Sequence, residues 1–232
     1  PPKTPKKEFR VLTPEEAQRF LDAAEGDRFY ALYVLAVMCG LREGELLGLK
    51  WEDVDLDRGV LQVKRQLQWV KAEEGKDIDG KKRRTPTKWV LTEPKSAKSR
   101  RVVTLPALAV AALKKHKACQ TEERLRLGEA WQDLGLVFTT EAGTPVHKSN
   151  LFNRSFKPLL ERAGLPKLRF HDLRHTCATI LLARGIHPKL VQEQLGHSQI
   201  SLTLDTYSHV LPALQKECAA TMDGVFGTKK AR

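Results

Sequence analysis

Cysteine is scarce: Cys39, Cys119, Cys177 and Cys218 are the four in 232 residues, and no two stand in CxxC spacing. That scatter excludes a disulfide framework and fits a chain kept in a reducing cytoplasm, each thiol serving as a small buried hydrophobe. Long apolar runs are missing too. No stretch approaches 18 consecutive apolar residues, so no membrane span is expected. The most apolar run, Tyr30 to Cys39, has the length of one buried helix. The start, Pro1 to Arg10, is basic and polar with no apolar segment behind it, which argues against a signal peptide. Acidic residues are in deficit, 28 Asp/Glu against 40 Lys/Arg, leaving a formal charge of +12. Such an excess favours polyanionic partners through steering and counterion release. It is also uneven: residues 76 to 101 hold ten Lys/Arg and three Asp/Glu, or +7 of the +12. A patch of that kind is the electrostatic footprint of a phosphate backbone, or else a solvated loop.

At 41% hydrophobic the chain can bury one large core. Residues 1–10 (PPKTPKKEFR) read as a linker, which suggests a further domain on its N-terminal side. Thr13 is a helix N-cap with Pro14 at N1 and Glu16 completing a capping box. Leu12, Ala17, Phe20, Leu21 and Ala24 follow helical spacing up to Gly26. A central helix is predicted for 27–38 and a short one for 42–47. After the Asp57-Arg58-Gly59 turn, Val60 to Val70 alternates as a strand. Lys88–Thr92 and Arg101–Leu105 are two more, giving a small antiparallel three-stranded sheet. From Pro106 onward helices are predicted near 106–127, 149–163, 171–184, 188–195, 199–206 and 212–223. The expected fold class is α+β, mainly α.

Four segments carry candidate chemistry. In HDLRHT, His171 and Arg174 lie three apart, hence on one helix face; this is either an ordinary polar face or a site for an anion, since a guanidinium offers bidentate donors to phosphate. In LGHSQISLTLDTY, His197 follows Gly196 at a helix junction and Tyr207 comes ten residues later; alone, that tyrosine could be a surface or capping residue. In CGLREGEL, Arg42 emerges between two apolar helices, either as an ion pair with Glu43 or Glu45 or as an anion site. In TEPKSAKSRRVVTLP, Lys95 sits near the tip of a hairpin.

Together, and in this order, Gly40–Leu46, Pro94–Pro106, His171–Thr176 and Leu195–Tyr207 resemble the motifs of the tyrosine recombinase family, phage- or transposon-type integrases. The resemblance runs from about Leu12 to about Val210. It implies a catalytic domain over 11–210, with 211–232 making contacts between protomers. It further implies that Arg42 and Arg174 bind the scissile phosphate, that Lys95 is the hairpin lysine, His171 and His197 the two histidines and Tyr207 the nucleophile. Glu45 and His175 would support the site. Lys98 competes with Lys95 for the lysine role, and the distance to the following strand favours Lys95. The implied reaction is transesterification: the Tyr207 phenolate attacks phosphorus, leaving a 3′-phosphotyrosyl link and a 5′-hydroxyl, without ATP, metal or other cofactor. The expected partners are double-stranded DNA, gripped in part by Lys81, Lys82, Arg83, Arg84, Lys98, Arg100 and Arg101, and further copies of the chain in a tetramer on DNA. An accessory directionality factor is compatible with this.

Two rivals fall on spacing. Gly75 to Lys81 imitates a phosphate-binding loop but is followed by Lys82 where Ser or Thr is required. His171 and His175 stand four apart as on zinc-binding helices, but no HExxH glutamate accompanies them. Two rivals stay open: a relative that binds DNA without cutting it, and a type IB topoisomerase.

Overall fold

The computed structural model describes residues 10–71, 87–93, 99–201 and 211–226. Helix α1 (Pro14–Ala24) starts with the capping box read from the sequence: Thr13 Oγ1 accepts from the Glu16 N–H at 3.1 Å, and Glu16 Oε2 accepts from the Thr13 N–H at 3.0 Å. Its buried face, Ala17, Phe20, Leu21 and Ala24, lies on α2 (Tyr30–Cys39). Residues 31 to 37 of α2 are all buried, so it is the central rod. It packs against α1, α4 (Ala107–Leu127) and α7 (Asp172–Ala183). Around it Phe20, Tyr33, Phe156 and Phe170 meet edge-on or tilted, at centroid distances of 5.4–6.4 Å. The Tyr33 hydroxyl finds Ser155 Oγ at 2.6 Å.

The mainly α fold with a small three-stranded antiparallel sheet is present, but its strands are not those expected. Strands β1 (Val54–Asp55), β2 (Val60–Val63) and β5 (Arg101–Thr104) form that sheet, in the order β1-β2-β5. The single strand expected over Val60–Val70 is instead two. It breaks at Lys64-Arg65, and β3 (Gln66–Lys71) pairs with β4 (Thr87–Thr92) in a separate ribbon, Trp69 opposite Trp89. The cause is tertiary. Asp53, 4% exposed, draws Lys64 Nζ and Arg65 Nη1 to its carboxylate at 3.0 Å each, by charge proximity and without hydrogen-bond alignment. A buried carboxylate must be paired, and pairing it turns two consecutive residues out of the alternation.

The helix expected over 149–163 is also divided. Between α5 (Lys148–Leu151) and α6 (Lys157–Arg162) lies one widened π turn, Phe152–Phe156. Pro158 has no N–H to give the carbonyl of Arg154, and its ring crowds that carbonyl. Helix α8 (Pro188–Leu195) packs on α7 through Ala178, Leu182, Val191 and Leu195, and touches β5. A last helix spans Leu211–Phe226. The expected linker at 1–10 falls almost wholly outside the described residues, as does most of the helix expected over 199–206. Cys39 and Cys177 are buried as anticipated, and burial pushes both thiols up to about 12. Cys119 is a correction: it lies on an exposed face of α4.

Gly48 allows β3 to lie against the end of α3 (Glu43–Leu47). A Cβ there would sit 2.7 Å from Leu67 N and 2.9 Å from the carbonyl carbon of Gln66. These are backbone atoms and cannot rotate aside. Gly48→Ala is therefore expected to cost about 1–3 kcal/mol, read as a lower urea midpoint; an unchanged midpoint would refute this packing.

Candidate active site

Four of the six expected catalytic positions lie among the described residues, each placed by an element end. Gly40 closes α2 in the left-handed conformation (φ 65°), and Arg42 follows as the N-cap of α3. His171 is the N-cap of α7 and Arg174 lies in its first turn, 2% exposed. Gly196 caps α8 with φ 67°, and His197 follows it. Lys95 and Tyr207 lie outside the described residues, as do Lys81, Lys82, Arg83, Arg84 and Lys98.

What gathers these groups is the C-terminal end of α8. Its last carbonyls have no partner within the helix and carry the negative end of the helix dipole. Three successive ones each accept from a different arginine. The carbonyl of Gln194 takes Arg101 Nε at 2.6 Å, that of Leu195 takes Arg174 Nη2 at 2.6 Å, and that of Gly196 takes Arg42 Nη2 at 3.2 Å. Arg174 Nη1 also donates to the carbonyl of Gly40 at 2.7 Å, tying the end of α2 to the end of α8.

Among the described residues, Glu45 is the carboxylate that pairs with these arginines, and its side chain is 2% exposed. Of the pairings left open for Arg42, the structure selects this one. Glu45 Oε1 accepts from Arg42 Nη1 at 2.6 Å and Oε2 from the Arg42 N–H at 2.9 Å. Arg101 Nη1 and Nη2 donate to the same two oxygens at 3.1 and 2.9 Å. Burial opposes the charge on Glu45, but the hydrogen bonds and charge of Arg101, then Arg42, overcome it and hold the carboxyl at about 2.

The histidines lie in the same field, and burial here adds to its effect instead of opposing it. Burial, then the charges of Arg174 and Arg42, bring His197 down to about 3. Burial and then His171 bring His175 down to about 4. His171 shifts the same way, through partial burial and then Arg174 and Arg42, although the residue as a whole is exposed. The His171 and His175 rings meet edge to face, 4.9 Å between centroids. All three imidazoles are therefore neutral at pH 7, each able to donate from one nitrogen and accept at the other.

Two expected DNA contacts can be placed. Arg100 is exposed and pairs with Glu93 on the surface. Arg101 is a correction: its side chain is only 7% exposed and its guanidinium is committed to Glu45, Gln194 and the Ser99 carbonyl. The sequence shows two adjacent arginines opening a strand, and strand alternation could have signalled that they face opposite ways. Among the described residues no group of three or more His, Cys, Asp or Glu is arranged to hold a metal ion. Nor is any helix among them long and apolar enough to cross a membrane.

Residues 10–213 match the model of the phage integrase family. The chain belongs to that family. It is 40% identical over 222 residues to a "Tyrosine recombinase XerC-like" protein of Caldanaerobacter subterraneus subsp. tengcongensis, covering 94% of this chain and 55% of that one. It is 30% identical to the ICEBs1 integrase of Bacillus subtilis, with the same coverage. The chain thus spans about half the length of these curated relatives. Among solved structures, XerA recombinase superposes with a TM-score of 0.66 at 26% identity, covering 94% of this chain and 66% of that one. The Tn1549 transposon integrase bound to transposon right end DNA superposes at 0.72 and 23% identity, covering 94% and 68%, and so speaks to the fold.

The depressed histidines set a pH dependence for this phage integrase family domain. An unfolded histidine titrates near about 6.5, whereas folded His197 and His175 titrate near 3 and 4. Below about pH 6.5 the unfolded chain binds more protons, so stability is full above that pH and falls as pH drops toward the folded values. The urea midpoint is expected to be lower at pH 5.5 than at pH 7, and His197→Gln to narrow the gap. Equal midpoints at the two pH values in the parent protein would contradict the neutral cluster.

Proposed function

We propose that the protein is a site-specific DNA recombinase or integrase, and that this chain is the part that cuts and rejoins DNA strands through Tyr207. The observation that carries the reading is the gathering of Arg42 and Arg174 at one helix end, with neutral His171 and His197 beside them. A phosphodiester brings one negative charge and two non-bridging oxygens, and two fixed guanidiniums match both.

In the proposed step the Tyr207 oxygen forms a bond to phosphorus as the bond to the 5′-oxygen breaks. Charge grows on the non-bridging oxygens, where Arg42 and Arg174 supply pre-placed donors and His197 a further hydrogen bond. Neutral His171 accepts the phenol proton. Lys95 returns a proton to the leaving 5′-oxygen. A 5′-hydroxyl then attacks the phosphotyrosyl link and reverses the chemistry, so no ATP is consumed. Electrostatics and proton transfer by side chains do the work that metals do in other nucleases. Glu45 and His175 hold the acting groups in place.

The rest of the assembly is proposed on the family resemblance. Lys81, Lys82, Arg83, Arg84, Lys98 and Arg100 would track the phosphate backbone of the duplex. A domain joined through residues 1–10 would close around its other side. The segment 211–232 would pack on a neighbouring protomer in a tetramer that forms on DNA, in a cytoplasmic setting and with room for a directionality factor.

The test is covalent trapping by the full-length protein. Duplexes chosen by the protein from a randomised pool, then nicked near the centre, lose the rejoining strand on cleavage. An adduct that survives SDS is expected with the parent chain and absent with Tyr207→Phe, which should still bind DNA. Arg174→Lys should slow trapping by about 10²–10³-fold. Binding without any adduct would favour a relative that does not cut. Relaxation of supercoils at single sites would favour topoisomerase chemistry.

A further inference from the structure

We infer that Arg101 is a positioning residue for the proposed reaction. It would fix Arg42 through Glu45 and fix the α8 end that holds both phosphate-binding arginines. This rests on the recombinase reading for the identity of the reaction, but not for the contacts.

The contacts are unusually complete. Arg101 donates through Nε to the Gln194 carbonyl, through Nη1 to Glu45 Oε1 and the Ser99 carbonyl, and through Nη2 to Glu45 Oε2. One planar group thereby joins β5, α3, α8 and the turn before β5. Glu45 in turn grips both the backbone N–H and the guanidinium of Arg42. Arg101 touches Glu45 on one side of Arg42, and α8 on the other, where the Gly196 carbonyl receives Arg42 Nη2. Both anchors of Arg42 therefore depend on it.

Gly196 supports the same placement. Its φ of 67° suits glycine, and a Cβ there would lie 3.0 Å from Arg101 Nη1 and 3.1 Å from its Cδ. The absent side chain leaves the space that the guanidinium fills. With 7% of its side chain exposed, Arg101 has little surface to offer a DNA phosphate. A lysine could satisfy Glu45 or Gln194 but not the planar set, because an ammonium is a point donor.

The experiment uses the full-length protein, with Arg101→Lys as the variant that keeps the buried charge and Arg101→Met as the one that removes it. Three readouts are taken: DNA affinity, the single-turnover rate of adduct formation on the nicked duplex, and urea stability at pH 7 and pH 3. Affinity is expected to hold within about threefold, while the adduct rate falls on the order of 10²-fold, the usual cost of a displaced reacting group. In an Arg42→Lys background the same change should cost much less, because Arg101 acts through Arg42. Folded Glu45 titrates near 2, below its ordinary 4.5, so its stabilisation is present above about pH 4.5 and lost as pH falls toward 2. Arg101→Met should flatten that acid limb.

Equal losses of affinity and rate would mark Arg101 as a DNA contact and overturn the inference. So would a rate loss that multiplies unchanged with Arg42→Lys, or a flattened acid limb with a normal rate, which would make the residue structural only. A parent protein that binds DNA but traps no adduct defeats the recombinase reading and takes this inference with it. An active parent with an unaffected Arg101→Lys defeats this inference alone.

Discussion

Three guanidiniums converge on one helix end, and the site depends on how that is tolerated. Two unit charges about 5 Å apart repel by roughly 3 kcal/mol at an effective dielectric of 20. The carbonyls of Gln194, Leu195 and Gly196 offset this one arginine at a time, and Glu45 offsets it for two of them. With the helix end equivalent to about half a negative charge, the cluster retains roughly one and a half positive charges. One phosphodiester nearly completes the balance. The protein thus holds its cations pre-oriented with a deficit the size of the proposed substrate, and little reorganisation is left to the reacting complex.

Burial first, and then the same field, decide the state of the imidazoles. Both disfavour a proton on His197 and His171, which stand neutral at pH 7. A bound phosphodiester would cancel part of that field and raise their proton affinity. A proton acceptor is most useful when its affinity rises as the reacting group is seated. The arginines and histidines are therefore one electrostatic unit, not separate donors that happen to be close.

Local rules made much of this legible. The Thr13 capping box, the glycines that end α2 and α8, and the His171–Arg174 spacing each concern residues a turn or less apart, where sequence and geometry correspond closely. What was hidden depends on partners distant in sequence. Val60 to Val70 reads as one strand with a polar stretch, Lys64 to Gln66, in its middle, and Asp53 breaks it there by drawing in Lys64 and Arg65. Pro158 lies inside the helix expected over 149–163, and the π turn before it was not read from the sequence. Arg101 read as one more cation in a basic stretch, because strand alternation says that Arg100 and Arg101 face opposite ways but not which of them is buried. Its partners Glu45 and Gln194 lie 56 and 93 residues away. Cys119 showed the converse error: scarcity of a residue type says little about the burial of one member.

The position of Arg101 at the start of β5 also braces that strand against α3 and α8. The surface pair between Glu93 and Arg100 is too exposed to hold the start of β5 by itself. The buried guanidinium one residue later is not. The contact proposed to orient Arg42 therefore also anchors β5, so a shift of that strand would be felt at Arg42. A site made from four separated segments needs such cross-bracing, because each segment alone is an ordinary helix end or turn.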